Sequence, residues 1–224
     1  MRRLIVLIAA VAGCVLTARL GFWQLDRAAQ KVALQQSIDE MAKLPALGNQ
    51  ALPGALHRRV VLSGHWLADK TVYLDNRPMD GRAGFYVVTP LQIEGRADAI
   101  LVQRGWLPRD AQDRSRLPPL ETPAGPVAVE GLLLAAPSRL FEFSAAASGV
   151  IRQNLDPAAY ALEIHQPLLA FTVQQTGPAD ALVRDWPATD LGLQKHYGYA
   201  FQWFALCALI LGLYVWFQVF KRPA

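Results

Sequence analysis

Apolar residues are concentrated at the two ends of this 224-residue chain, and polar and apolar positions alternate between them. The first apolar segment, Leu4–Trp23, would form a helix of about 20 residues and roughly 30 Å, which matches the hydrocarbon thickness of a bilayer. The second, Tyr197–Phe220, is long enough to cross with some tilt. We therefore predict an α+β membrane protein with transmembrane helices in residues 1–23 and 197–220 and one extracytoplasmic domain at 24–196.

Basic residues at both tips indicate the orientation. Arg2 and Arg3 precede the first segment, and Lys221 and Arg222 follow the second. Because cytoplasmic flanks are enriched in Lys and Arg, we expect both termini, including the tail at 221–224, to be cytoplasmic. The central domain would then be periplasmic, on a multi-pass protein of a bacterial inner membrane.

Two features of the first segment leave an alternative open. Arg19, Arg27 and Lys31 lie beyond its apolar core and weaken the orientation, and Ala10-Val11-Ala12 has the small-x-small form of a signal-peptidase site. Cleavage there would leave an apolar core of about six residues, shorter than is usual. We expect an uncleaved anchor, and the lack of a Ser/Arg-rich segment before Leu4 favours a bacterial protein.

The central domain has the pattern of short strands. Helix formers continue over Asp26–Leu44 and stop near Pro45, so the first helix should extend beyond the membrane. Asp156 and Pro157 are typical of a helix start, predicting a helix over Pro157–Ile164. β-branched, aromatic and alternating residues predict an antiparallel sandwich or partly open barrel, with strands at Arg59–Trp66, Thr71–Asn76, Gly84–Ile93, Ala99–Leu107, Val127–Leu134 and Leu168–Gln175. Asp80-Gly81 predicts a tight turn between the second and third.

Composition excludes several classes of function. The formal charge of +4 is small and spread along the chain, so we expect no nucleic-acid partner. Cys14 and Cys207 both lie within the apolar segments, where packing is the simplest role. The central domain therefore has no disulfide, no CxxC pair and no cluster of soft ligands for copper.

Catalytic motifs are also absent from the sequence. His57, His65 and His165 are candidate bases, but no GxSxG, SxxK or HExxH accompanies them. Ser63 and His65 share one face of a predicted strand, which is more typical of a solvated surface than of a catalytic dyad. We therefore predict that the protein is not an enzyme.

Two arginines at predicted strand ends have two interpretations. Arg77 follows Asp75-Asn76, and Arg104 lies within Gln103-Arg104-Gly105-Trp106. Each could tie neighbouring turns together, or the two could hold the carboxylates or propionates of a ligand. The structural role is the better interpretation.

His196 is the histidine next to a predicted span. At helical spacing it shares a face with Tyr199 or Ala200 and with Trp203. An imidazole there could ligate a haem iron, with the flat macrocycle against the helices. It could instead hydrogen-bond lipid headgroups or cap the helix.

The two apolar segments should contact each other. Ala9/Gly13 and Ala208/Gly212 are small-xxx-small pairs, which permit close approach of helix backbones. We predict a hairpin-like helix pair with these residues at its interface.

Five motifs in chain order resemble the Surfeit-locus family of cytochrome c oxidase assembly factors, over almost the whole chain. They are GFWQLDR at 21–27, YLDNR at 73–77, GFYVVTPL at 84–91, VQRGWLP at 102–108 and HYGYAFQW at 196–203.

The resemblance implies a non-catalytic role in building oxidase subunit I by delivering or stabilising haem a. It implies that His196 is an axial haem ligand, with Tyr199 and Trp203 beside the macrocycle. Gly105, Trp23 and Tyr199 would act in structure or subunit contact. The implied partners are subunit I, membrane lipid and, as a further candidate, haem A synthase; a haem-free scaffold for nascent subunit I is the alternative.

Overall fold

The computed structural model describes residues 1–52, 55–113, 115–137, 149–178, 181–187 and 191–220. The chain divides into two compact units. One unit is Met1–Ser37 with Ala188–Ala224, and the other is Ile38–Pro187. The predicted cytoplasmic tail at 221–224 lies outside the described residues.

The regular elements follow the predicted order closely. Three helices and seven strands are described: α1 (Arg2–Lys43), β1 (Arg59–Trp66), β2 (Val72–Leu74), β3 (Gly84–Ile93), β4 (Ala99–Pro108), β5 (Pro126–Leu134), β6 (Ile151–Arg152), α2 (Pro157–Glu163), β7 (Leu168–Gln175) and α3 (Leu193–Val215). A π-helical turn, Trp216–Phe220, continues α3.

The first unit contains two long apolar helices. As predicted, α1 continues without a break past the apolar segment and ends at Lys43, just before Pro45. Arg3–Lys43 and Leu193–Gln218 are each long and apolar enough to cross a membrane, and only 17% and 6% of their most apolar windows are buried. Two helices of this length and exposure are compatible with a membrane protein.

The two helices pack against each other, as the small residues predicted, but not through both predicted pairs. Gly13 of α1 lies against Ile210, so that a Cβ on Gly13 would be 3.3 Å from its Cδ1. Ala208 and Gly212 are exposed, and a Cβ on Gly212 would meet nothing within 4 Å. The prediction for α3 was therefore wrong. Its contact face carries the larger Phe204, Cys207 and Ile210, since small residues are needed on only one of two closely packed helices.

The second unit is a barrel. Its seven-stranded sheet has the order β1-β5-β7-β4-β3-β2-β6, and an added β1–β3 pairing closes a ring of five strands. β2 and β6 extend the sheet beyond β3. A type I′-like turn, with Asp80 at φ 50° and Gly81 at φ 73°, lies between β2 and β3 as expected. The barrel alternative is thus confirmed over the sandwich.

The expectation of a wholly antiparallel sheet was wrong at two pairs of strands. β4 pairs parallel with β7, and β2 pairs parallel with β6. β7 follows α2 and inserts between β4 and β5, so a long crossover gives the parallel direction. Residue alternation indicates which faces of a strand are buried but not which strand lies beside it.

β4 is buried on both faces, which explains its continuous run of apolar residues. Ile100 and Val102 face the barrel interior with Leu62 and Leu133. Leu101 packs on the opposite face against a cluster that includes Tyr160 of α2. α2 begins as predicted, since the Asp156 carboxylate accepts from the N–H groups of Ala158 and Ala159.

Candidate functional site

His196 is the fourth residue of α3 and is half-buried against α1. Its Nδ1 lies 2.7 Å from Oε1 of Gln24, which is 172 residues earlier in the chain. Among the described residues, no hydrogen-bond partner approaches its Nε2. One ring nitrogen is therefore held by the neighbouring helix, and the other is available.

The other predicted site residues take different positions around α3. Ala200, one turn after His196, is 2% exposed and lies on the same side of α3. Trp203 is half-buried on the same side of the helix, whereas Tyr199 is 51% exposed. The structure thus places His196, Ala200 and Trp203 together, and Tyr199 at the edge of that face.

Residues of α1 on both sides of Gln24 along the helix are also closely packed. Two residues nearer the N-terminus of α1, the Phe22 ring meets the Phe204 ring edge-to-face at 5.2 Å. One turn further along α1, Ala28 is 1% exposed. Beyond it, Lys31 Nζ donates to the Leu191 carbonyl at 2.8 Å, just before α3 begins.

The hydrogen bond defines what the imidazole can do. When the Gln24 carbonyl oxygen accepts from Nδ1, the proton of a neutral imidazole resides on Nδ1, and Nε2 keeps its lone pair. Nε2 is then a metal ligand or a hydrogen-bond acceptor. The described residues contain no group of three or more His, Cys, Asp or Glu that could enclose a metal ion. A single neutral imidazole nitrogen is a donor of the type that haem iron accepts.

Arg77 and Arg104 are part of the folded core, in agreement with the structural interpretation. Arg77 is 4% exposed, donates to the Gln153 carbonyl at 3.0 Å, and lies over the Tyr86 ring at 5.8 Å. Its own carbonyl accepts from the Trp106 indole at 2.7 Å. These contacts tie the segment after β2 to β3 and β4.

Arg104 lies at a β-bulge. The β3–β4 register passes from Val87 opposite Gly105 to Val88 opposite Gln103, so Arg104 is the extra residue on β4. Its guanidinium stacks 4.9 Å from the centre of the Trp66 ring and donates to Thr122 Oγ1 at 2.7 Å. The arginine thus holds the loop before β5 in place.

The candidate catalytic pair behaves as a surface feature. Val60, Leu62 and Gly64 of β1 face inward as the alternation predicted, which leaves Ser63 half-buried and His65 exposed. The Ser63 backbone carbonyl accepts from the Asn49 side-chain amide, and the Ser63 N–H donates to its oxygen, each at 3.0 Å.

Gln24 is the site residue that the sequence analysis did not single out. A glutamine within a run of apolar and aromatic residues, as in GFWQLDR, was the available signal. Its partner could not be identified, because the pairing face of the two helices depends on their packing.

The protein is therefore a barrel protein whose chain has a long apolar helix near each end. The helix pair carries one half-buried imidazole, that of His196. The sequence model of the SURF1 family matches residues 11–208. The chain therefore belongs to the SURF1 family, as its motifs indicated.

Individual relatives agree with this assignment. A SURF1-like protein of Rickettsia bellii is 36% identical over 95 residues, which cover 41% of this chain and 39% of that protein. The cytochrome oxidase assembly protein SHY1 of Saccharomyces cerevisiae is 27% identical over 117 residues, 49% of this chain and 30% of the yeast protein. A SURF1-like protein of Monosiga brevicollis is 25% identical over 91% of this chain and 84% of its own length. The chain thus matches well under half the length of the first two.

Proposed function

We propose that this protein is a cytochrome c oxidase assembly factor that binds or stabilises haem a for insertion into subunit I. Membership of the SURF1 family and the name of the yeast relative support the assembly role. The haem role depends on one observation: the Nδ1 atom of His196 is held by Gln24, while Nε2 has no partner among the described residues.

The proposed membrane location rests on the two apolar helices. Both would cross a bacterial inner membrane, with both termini cytoplasmic and the barrel periplasmic. The exposed large side chains along the helices, such as Ile8, Leu16, Phe201 and Leu209, would contact lipid. In water these side chains would have no apolar partners.

In this proposal, haem a is cargo, and its macrocycle supplies four of the iron ligands. His196 would hold the iron through Nε2, and Trp203 and Tyr199 would offer aromatic surface beside the ring. Ala200, buried one turn after His196, provides a small side chain on the same side of α3. A single imidazole ligand suits a carrier, because one axial bond has to break when the cargo moves to the client.

The role is proposed to be non-catalytic, with subunit I and haem A synthase as partners. The cargo would pass from the synthase to the helix pair and then to the client. Nothing in this scheme needs a nucleophile or a proton relay, and the Ser63 and His65 side chains have no assigned part.

An optical spectrum tests the haem proposal. The full-length protein would be purified in detergent from cells that also make haem A synthase. We expect a bound haem in the wild type and its loss in His196→Ala. His65→Ala is the matched control, since it removes an exposed histidine far from α3 in sequence and should leave the spectrum unchanged. Equal haem content in wild type and His196→Ala would refute the assignment.

A haem-free scaffold for nascent subunit I is the second candidate. The Gln24–His196 hydrogen bond favours it because the bond links the two helices without any ligand. A scaffold should still co-purify with subunit I after His196→Ala, and oxidase activity in those cells should be largely retained. A carrier should lose activity in the same variant while keeping the interaction.

A further inference from the structure

We propose that Gln24 is a positioning residue that sets the tautomer and ring orientation of His196, so that Nε2 is presented as a ligand. The inference deepens the proposed haem role and rests on it for its functional meaning. The tautomer itself can be tested without haem.

The geometry supports an acceptor role for Gln24. The Oε1 to Nδ1 distance of 2.7 Å is at the short end of the range for an N–H···O bond. A carbonyl oxygen can only accept, so the imidazole nitrogen facing it carries the proton. In a neutral ring this leaves Nε2 deprotonated.

Close packing of α1 on both sides of Gln24 keeps this residue beside His196. A Cβ on Gly21 would lie 2.7 Å from the Phe204 ring, which shows how closely α1 and α3 approach one turn away. Ala28 is buried on the other side of Gln24 along α1. Between these two positions, the Gln24 side chain reaches His196, with Oε1 2.7 Å from Nδ1.

The expected effect follows from ligand chemistry. A hydrogen-bond acceptor on the other ring nitrogen fixes the orientation of a metal-ligating histidine and makes the ligating nitrogen more basic. Loss of that acceptor typically lowers metal affinity 10–100-fold. A histidine without Gln24 would exchange tautomers and rotate about its side-chain bonds. It would then present Nε2 to a ligand only part of the time.

The direct test is ¹⁵N NMR of the haem-free, full-length protein in detergent with labelled histidine. The His196 signals are identified by their loss in His196→Ala. We expect the Nδ1–H tautomer in the wild type and a mixture of tautomers in Gln24→Leu. Gln30→Leu is the matched control, because Gln30 lies on the exposed side of α1 and its side chain bonds Asp26 and Arg27 of the same helix. A wild-type His196 protonated at Nε2 would overturn the inference.

Haem a titration then measures the consequence. Gln24→Leu should bind haem 10–100-fold more weakly than the wild type, and Gln30→Leu should bind as the wild type does. Gln24→Glu keeps the length of the side chain and its hydrogen-bond acceptor, so it should retain haem binding. It should also lower the midpoint potential of the bound iron, because a carboxylate beside Nδ1 makes the imidazole a stronger electron donor to the iron. Wild-type affinity in Gln24→Leu would overturn the positioning role. Wild-type affinity in His196→Ala would instead overturn the proposed function and leave the NMR result to decide the tautomer.

Discussion

The sulfur atoms of Cys14 and Cys207 each lie within 3.7 Å of the other residue's carbonyl oxygen, across the pair of apolar helices. The contact is reciprocal, so the two side chains face each other at one level of the pair. It lies deeper in the predicted spans than the Gln24–His196 bond, and it fixes which faces of α1 and α3 are in contact. The cysteines are therefore native reporters of helix packing.

Oxidation should crosslink these two residues. Treating the full-length protein with copper phenanthroline should convert the two thiols to one disulfide, with two protons released and two electrons taken by the oxidant. Mass spectrometry of the digested protein should find the Cys14–Cys207 peptide pair. Moving the second cysteine by one position, with Cys207→Ala and Ala208→Cys together, should greatly reduce the yield, because Ala208 is exposed. Equal yields from positions 207 and 208 would contradict the contact face.

Gly21→Leu should weaken the helix pair. A side chain on Gly21 would begin 2.7 Å from the Phe204 ring, so the ring or the helix has to move. We expect a lower Tm and a lower yield of the Cys14–Cys207 crosslink. Gly212→Leu is the control, since that position faces open space, and it should change neither quantity. A loss at Gly212 as large as at Gly21 would restore the interface predicted from the small residues.

Gly105→Ala should destabilise the barrel by about 1–3 kcal/mol. Its Cβ would lie 2.6 Å from the Leu182 Cβ and 2.9 Å from the Val183 carbonyl oxygen, next to the Arg104 bulge. Urea unfolding of the full-length protein followed by tryptophan fluorescence measures the change. Gly125→Ala, where a Cβ meets nothing within 4 Å, should have little effect. If the two variants unfold at the same urea concentration, close packing at Gly105 is not important.

Tyr160 should make the protein less stable at alkaline pH. Burial raises the pKa of its phenol from 10.0 to about 12, although Arg152 opposes the shift. Between these values the unfolded chain loses the proton while the folded chain keeps it, so the free energy of unfolding falls as pH rises. The fall from this residue should be on the order of 2 kcal/mol by pH 12.

Tyr160→Phe provides the comparison. It removes the titrating group and the hydrogen bond from the Tyr160 hydroxyl to the Lys70 carbonyl, so it should lower stability by a constant amount between pH 7 and 9. Above pH 10 its stability should decline less steeply than that of the wild type. Curves that stay parallel up to pH 12 would show that Tyr160 is not responsible.

The amino-acid sequence alone determined the elements and the family. Apolar runs predicted α1 and α3, alternation with β-branched residues predicted six of the seven strands, and Asp156-Pro157 predicted the start of α2. These signals could be read because they depend only on residues near each other in the chain. The two-residue β6 is too short to have a pattern. Ordered motifs such as the one at 196–203 indicated the SURF1 family, which the match over residues 11–208 confirms.

Only the tertiary structure decided which residues meet. The β1–β3 closure of the barrel, the parallel β4–β7 pair, the contact of Cys14 with Cys207 and the bond between Gln24 and His196 all join parts that are distant in sequence. Such contacts depend on the register of strands and the rotation of helices, and small changes in either exchange one partner for another. The sequence therefore supplied His196 as a candidate ligand, and the packing of α1 against α3 supplied the glutamine beside it.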